Sequence, residues 1–150
     1  MKPLYVLFVA FLASLIIIKL GVGRFDYSLS GRIAMSIMLI FTSLSHFVFT
    51  KGMILMIPGF VPFKKILVYF TGIVELAASI GILIHQLQNI TALLLIIFFI
   101  IILPANIHAA IKHVDLQKAN YEGNGINYLW VRIPLQALFI AWTYFFIIYL

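Results

Sequence analysis

The chain has 150 residues, 65% of them hydrophobic and 9% charged, with a mean hydropathy of +1.19. A soluble domain of this length has too little interior to hide so much apolar surface, so the composition points to an integral membrane protein. No cysteine is present, and the basic residues behind the formal charge of +6 are scattered at segment ends; this excludes disulfides, thiolate metal sites and a nucleic-acid-binding face.

A membrane-spanning helix needs about 20 mostly apolar residues. Five segments meet or approach that length, at about residues 4–20, 32–50, 66–84, 90–110 and 128–150. Together they leave room for a single transmembrane domain and nothing else. The first segment is followed by Gly21, Val22 and Gly23, small residues at the spacing of a signal-peptide cleavage site. Lys19 interrupts the run before them, so a retained helix is expected. In the second segment Thr42, His46 and Thr50 recur at i, i+4 and i+8, which places them on one helix face.

Residues 52–63 are apolar yet broken by Pro58, Gly59 and Pro62. They are expected to lie at the interface as a partly re-entrant segment across the mouth of the bundle. The third segment carries Glu75 near its middle, in a stripe with Thr71 and Ser79. Ala77 and Gly81 form a small-xxx-small pair that lets a neighbouring helix come close.

The fourth segment is interrupted by Pro104, which lacks an N–H and frees the carbonyl of Ile100. Asn106 and His108 follow at once. Residues 112–127 form the one clearly aqueous loop, with Asp115, Lys118, Glu122 and the turn signal Gly123-Asn124-Gly125. The fifth segment opens on Tyr128 and Trp130, suited to an interface belt. It carries Arg132 and Gln136 one turn apart, with Pro134 between them. Pro104 and Pro134 are expected to kink their helices.

Helical residues rise about 1.5 Å each. Counted from the nearest polar end, His46 and Arg132 lie roughly 7 Å deep, Asn106 roughly 9 Å, Gln136 roughly 13 Å and Glu75 roughly 15 Å. Four helices thus place polar groups in the same half of the membrane. Charged residues inside spanning helices are rare and usually mark function. The expectation is one cavity lined by His46, Glu75, Asn106, Arg132 and Gln136. Within it a direct or Gln136-bridged contact should join Glu75, as the carboxylate, to Arg132. The plainer alternative is an ion pair that only sets helix register.

These same stretches resemble the DoxX-like family of small bacterial membrane proteins. The likeness runs from about Arg32 to Ile148. It rests on Ser45-His46-Phe47, Met56-Ile57-Pro58, Gly72-Ile73-Val74-Glu75-Leu76, Pro104-Ala105-Asn106-Ile107-His108-Ala109-Ala110 and Trp130-Val131-Arg132-Ile133-Pro134-Leu135-Gln136. The resemblance implies an all-α, polytopic bundle with a four-helix core, to which the first segment adds one N-terminal transmembrane helix. It also implies a membrane subunit whose relatives are associated with thiosulfate:quinone oxidoreductase, and more distantly with receptor assembly and cargo export. Without cysteine, sulfur chemistry on this chain itself is not expected.

The functional expectation is a redox-associated subunit that binds a quinone-like lipophilic molecule in the polar intramembrane cavity. No other cofactor and no metal site are implied. The alternatives are a non-catalytic assembly module bound to another membrane protein, and a proton-coupled carrier. Expected partners are membrane lipids, such a protein or a quinone, and no nucleic acid. Six lysines (Lys2, Lys51, Lys64, Lys65, Lys112 and Lys118) fall on one side and only Lys19, Arg24 and Arg32 on the other. That bias puts the N-terminus in the cytoplasm and the C-terminus outside the bacterial cytoplasmic membrane.

Overall fold

The computed structural model describes residues 2–150, and it is helical throughout. Seven α-helices follow in order: α1 (Lys2–Val22), α2 (Tyr27–Val48), α3 (Thr50–Met56), α4 (Lys64–Gly81), α5 (Gln88–Ile101), α6 (Leu103–Ile111) and α7 (Ile126–Thr143). The last runs into a π-helical segment, Tyr144–Tyr149. Four helical stretches are long and apolar enough to cross a membrane: Lys2–Val22, Tyr27–Val48, Gln88–Ile111 and Ile126–Tyr149. The first, second, fourth and fifth expected segments correspond to these four. The third corresponds to α4, whose 18 residues carry Lys64, Lys65 and Glu75.

Local chemistry sets the helix ends. Asp26 caps α2 by accepting the Leu29 N–H at 2.8 Å, which satisfies one of the free donors of the first turn. The expected end of the second segment at Thr50 is in fact a break at Phe49, after which α3 begins. Residues 52–63 are therefore partly helical, and the irregular stretch is confined to residues 57–63. The fourth segment divides at Ile102, with Pro104 in the first turn of α6. A proline there costs nothing, because its missing N–H would have had no helical partner. Pro134, by contrast, sits inside α7.

Polar atoms point inward and apolar side chains outward. Ser36, Ser43, Glu75, Ser79, Asn106, Gln136 and Thr143 are buried, while Leu20, Ile17, Leu94 and Ile101 are among many exposed apolar side chains. This reversal suits a lipid surround, where each backbone and side-chain polar group needs an internal partner. The α2–α4 seam shows the consequence. Ser36 Oγ donates to the Ser79 carbonyl and Ser43 Oγ to the Gly72 carbonyl, each at 2.8 Å. The two bonds are seven residues apart on both helices and run in opposite directions, so α2 and α4 are antiparallel and close.

The first helix docks through Leu7, Ala10 and Ser14. Its Phe11 meets the Trp142 ring edge-on at 5.0 Å between centroids, and Trp142 Nε1 donates to the Gly31 carbonyl at 3.1 Å. A side chain at Gly31 would run into the Phe146 ring.

At the end of the bundle that holds Lys2, the 112–125 loop folds back on itself. The Asp115 carboxylate accepts the Gln117 and Lys118 N–H groups, and Asp115 pairs with Asn120. Gly125 has a φ of +59°, and a Cβ there would strike the His113 ring. His108 Nδ1 donates to the Met56 carbonyl at 2.9 Å and ties α3 to α6.

Candidate functional site

Two polar groups meet inside the bundle. The first joins α2 to α4. His46, in the last turns of α2, places Nδ1 3.0 Å from the Val68 carbonyl and 3.1 Å from Thr71 Oγ1. A carbonyl only accepts, so Nδ1 carries the hydrogen. The other ring nitrogen, Nε2, faces Glu75 Oε1 at 3.5 Å. The separation is a few tenths of an ångström longer than a formed hydrogen bond.

Glu75 is 5% exposed, and its second oxygen, Oε2, has no partner among the described residues. Leaving a buried carboxyl oxygen unpaired is costly. The cost is the physical reason to look for something that binds there.

The second group joins α5, α6 and α7. Asn106 Nδ2 donates to Gln136 Oε1 at 3.0 Å, and Arg132 Nε donates to Asn106 Oδ1 at 3.3 Å. Gln136 Nε2 donates in turn to the Phe99 carbonyl. The helix break before Pro104 explains that last bond. It was expected to free the Ile100 carbonyl, but the acceptor that captures a side chain is Phe99, one residue earlier.

His46, Glu75, Arg132 and Gln136 share the wall of a cavity of about 110 Å³. Asn106 lies behind that wall and supports Gln136 and Arg132. The expected contact between Glu75 and Arg132 is not made. Among the described residues, the only group of opposite charge within 4 Å of Glu75 is His46, and Gln136 turns both ends of its amide to Phe99 and Asn106. The polar partner of Glu75 is therefore a histidine one helix away, not the arginine on α7.

The mouth of the cavity also differs from expectation. Met53 of α3 reaches it, but so do Pro3 of α1 and Leu116 of the 112–125 loop. Residues 57–63 do not line it. Beyond the mouth lies a larger vestibule of about 820 Å³, whose walls share Pro3, Ser45, Leu116 and Arg132 with the inner cavity. No pattern in the sequence marks Pro3, Leu116 or the Phe99 carbonyl, because none carries a functional side chain. Thr71 was visible as part of the α4 stripe, though not as a partner of His46. At the opposite end of the bundle, Arg32 Nη1 donates to Gln88 Oε1.

The chain belongs to the family described as Domain of unknown function (DUF8561), whose model matches residues 35–147. That span contains every residue of both polar groups and leaves out α1. No curated protein and no solved structure matches the chain.

Proposed function

We propose that this DUF8561 protein crosses the bacterial cytoplasmic membrane five times. In this reading α1 is added to a DoxX-like core, and the chain binds a quinone-like lipophilic molecule as a redox-associated subunit. One observation carries the proposal: a buried carboxyl, Glu75, turns one oxygen to His46 Nε2 at 3.5 Å and offers the other, unpartnered, beside a cavity. A ligand O–H, such as the hydroxyl of a quinol, satisfies that oxygen by donating to it.

Size narrows the ligand. The cavity, at about 110 Å³, is somewhat smaller than the roughly 150 Å³ that holds benzene in an engineered protein cavity. It takes one ring edge, and the remainder of the molecule has to leave through the vestibule. Arg132, in both walls, stands where the two spaces meet.

For α4, 18 residues at about 1.5 Å each give about 27 Å, close to the hydrocarbon thickness. Its antiparallel pairing with α2 supports reading it as the remaining crossing. The lysine-rich end, with the N-terminus, then faces the cytoplasm.

The test is solvent extraction of purified protein. It should yield a stoichiometric quinone or isoprenoid that is lost from Glu75→Gln, and repeated blanks from the unaltered protein reject the reading. A second reading, an assembly module for another membrane protein, is favoured by a specific fact. Every side chain of the two polar groups except Glu75 Oε2 and the outer nitrogens of Arg132 is already used between helices. Its signature is a partner retained in mild detergent whose function survives Glu75→Gln.

A further inference from the structure

The vestibule lining combines two unlike surfaces. The apolar part includes Phe41, Leu44 and Val48 of α2. Leu44 is 57% exposed and Val48 71%, so this wall is continuous with the apolar outer surface that a bilayer would cover. The polar part of the lining includes Lys2, Lys118 and Arg132, with Asp115 and Glu122. A volume of about 820 Å³ falls within the roughly 300–1,000 Å³ of small-molecule sites.

None of the three cations makes an ion pair. Among the described residues, no lysine or arginine lies within 4 Å of a carboxylate. Asp115 and Glu122 belong to the same lining; Asp115 accepts backbone N–H groups and Glu122 accepts from Asn120, so the three cations exceed the carboxylates by one. Arg132 gives only its Nε, to Asn106. Its two Nη nitrogens have no acceptor among the described residues, yet the side chain is half-buried and held from behind by the Asn106–Gln136 pair. A guanidinium fixed through Nε presents its outer nitrogens as a fork, which matches two oxygens of one anion.

An apolar wall open to lipid beside a cationic wall with a free fork describes an amphiphile with an anionic head. We propose that the vestibule binds an anionic phospholipid, with its phosphate on the Arg132 fork, its head near Lys2 and Lys118, and an acyl chain along Leu44 and Val48. The occupant comes from the membrane rather than from solution, because a free anion has no use for the apolar wall. A zwitterionic lipid is disfavoured, because it carries no net negative charge to match a lining with three cations and two carboxylates. The inference does not rest on the proposed quinone, but a ligand of the inner cavity that extends through the vestibule would compete with the lipid for Arg132.

Native mass spectrometry of the full chain in neutral detergent tests it, with phosphatidylglycerol, phosphatidylcholine and inorganic phosphate as probes. One phosphatidylglycerol should bind about tenfold more tightly than phosphatidylcholine, and Arg132→Gln should remove that preference. Lys2→Gln combined with Lys118→Gln should weaken it severalfold, and Val48→Trp should block it from the apolar side. These last two keep the test decisive if Arg132→Gln fails to fold. Equal binding of the two lipids overturns the proposal, as does a preference that survives the lysine pair and Val48→Trp. Displacement of the lipid by millimolar phosphate overturns the membrane source and leaves a soluble-anion site.

Discussion

Asn106→Leu is the sharpest probe of how the second polar group is held. Asn106 is 2% exposed, and leucine is close to it in size, so the main loss is two hydrogen bonds rather than packing. The first, to Gln136 Oε1 at 3.0 Å, joins two buried groups. The second, from Arg132 Nε at 3.3 Å, is longer and involves a side chain that can turn toward water. Side-chain bonds between membrane helices average about 0.6 kcal/mol and reach about 1.7. Gln136 Oε1 is also left buried without a donor, which costs about 1–3 kcal/mol. The expected destabilisation is about 1.5–3 kcal/mol, most of it from the orphaned amide oxygen. It should be read from reversible unfolding of purified protein in mixed micelles. A cycle with Gln136→Leu separates the pair from its surroundings, and should give a coupling energy of about 0.6–1.7 kcal/mol. Asn106→Leu within about 0.5 kcal/mol of the unaltered protein, or a coupling indistinguishable from zero, would refute the reasoning.

Gly72→Ala should destabilise by up to about 2 kcal/mol. Its Cβ would stand 2.8 Å from His46 Cβ and 3.2 Å from Cγ, and the gain in helix propensity offsets only part of that. Gly59→Ala meets nothing within 4 Å and should be neutral in the same unfolding assay; equal effects at both sites would contradict the packing described. Trp142→Phe loses the Nε1 donor to Gly31 and should cost about 1 kcal/mol, with faster amide exchange confined to residues 2–22 and their contacts. Because the chain has no cysteine, Lys118→Cys and Gln86→Cys report topology cleanly. In oriented vesicles the first should react with an impermeant maleimide from the cytoplasmic side and the second from the other, and the reverse pattern would invert the orientation.

Much of this protein was legible as a list of apolar runs. The membrane excludes water from backbone polar groups, so a run of sufficient length becomes a helix whatever its neighbours do. Residues 4–20, 32–50, 66–84, 90–110 and 128–150 could therefore be placed on helices without knowing how they pack. Polar residues within those runs were equally visible, because each is an exception to an apolar rule. His46, Glu75, Arg132 and Gln136 stand in one cavity wall, with Asn106 directly behind.

Which polar group meets which was not legible. Depth along a helix follows from counting residues, but rotation about its axis and its choice of neighbour do not. Glu75 and Arg132 are complementary in charge, yet α4 packs closely against α2, and its carboxyl therefore meets His46. The Ser43–Gly72 and Ser36–Ser79 bonds hold that pairing. The α7 amide is drawn away to the Phe99 carbonyl, because a helix break left an acceptor there. Contacts made by backbone carbonyls, and walls built from Pro3 and Leu116, come only from the assembled bundle, since any residue type can supply a carbonyl or an apolar surface.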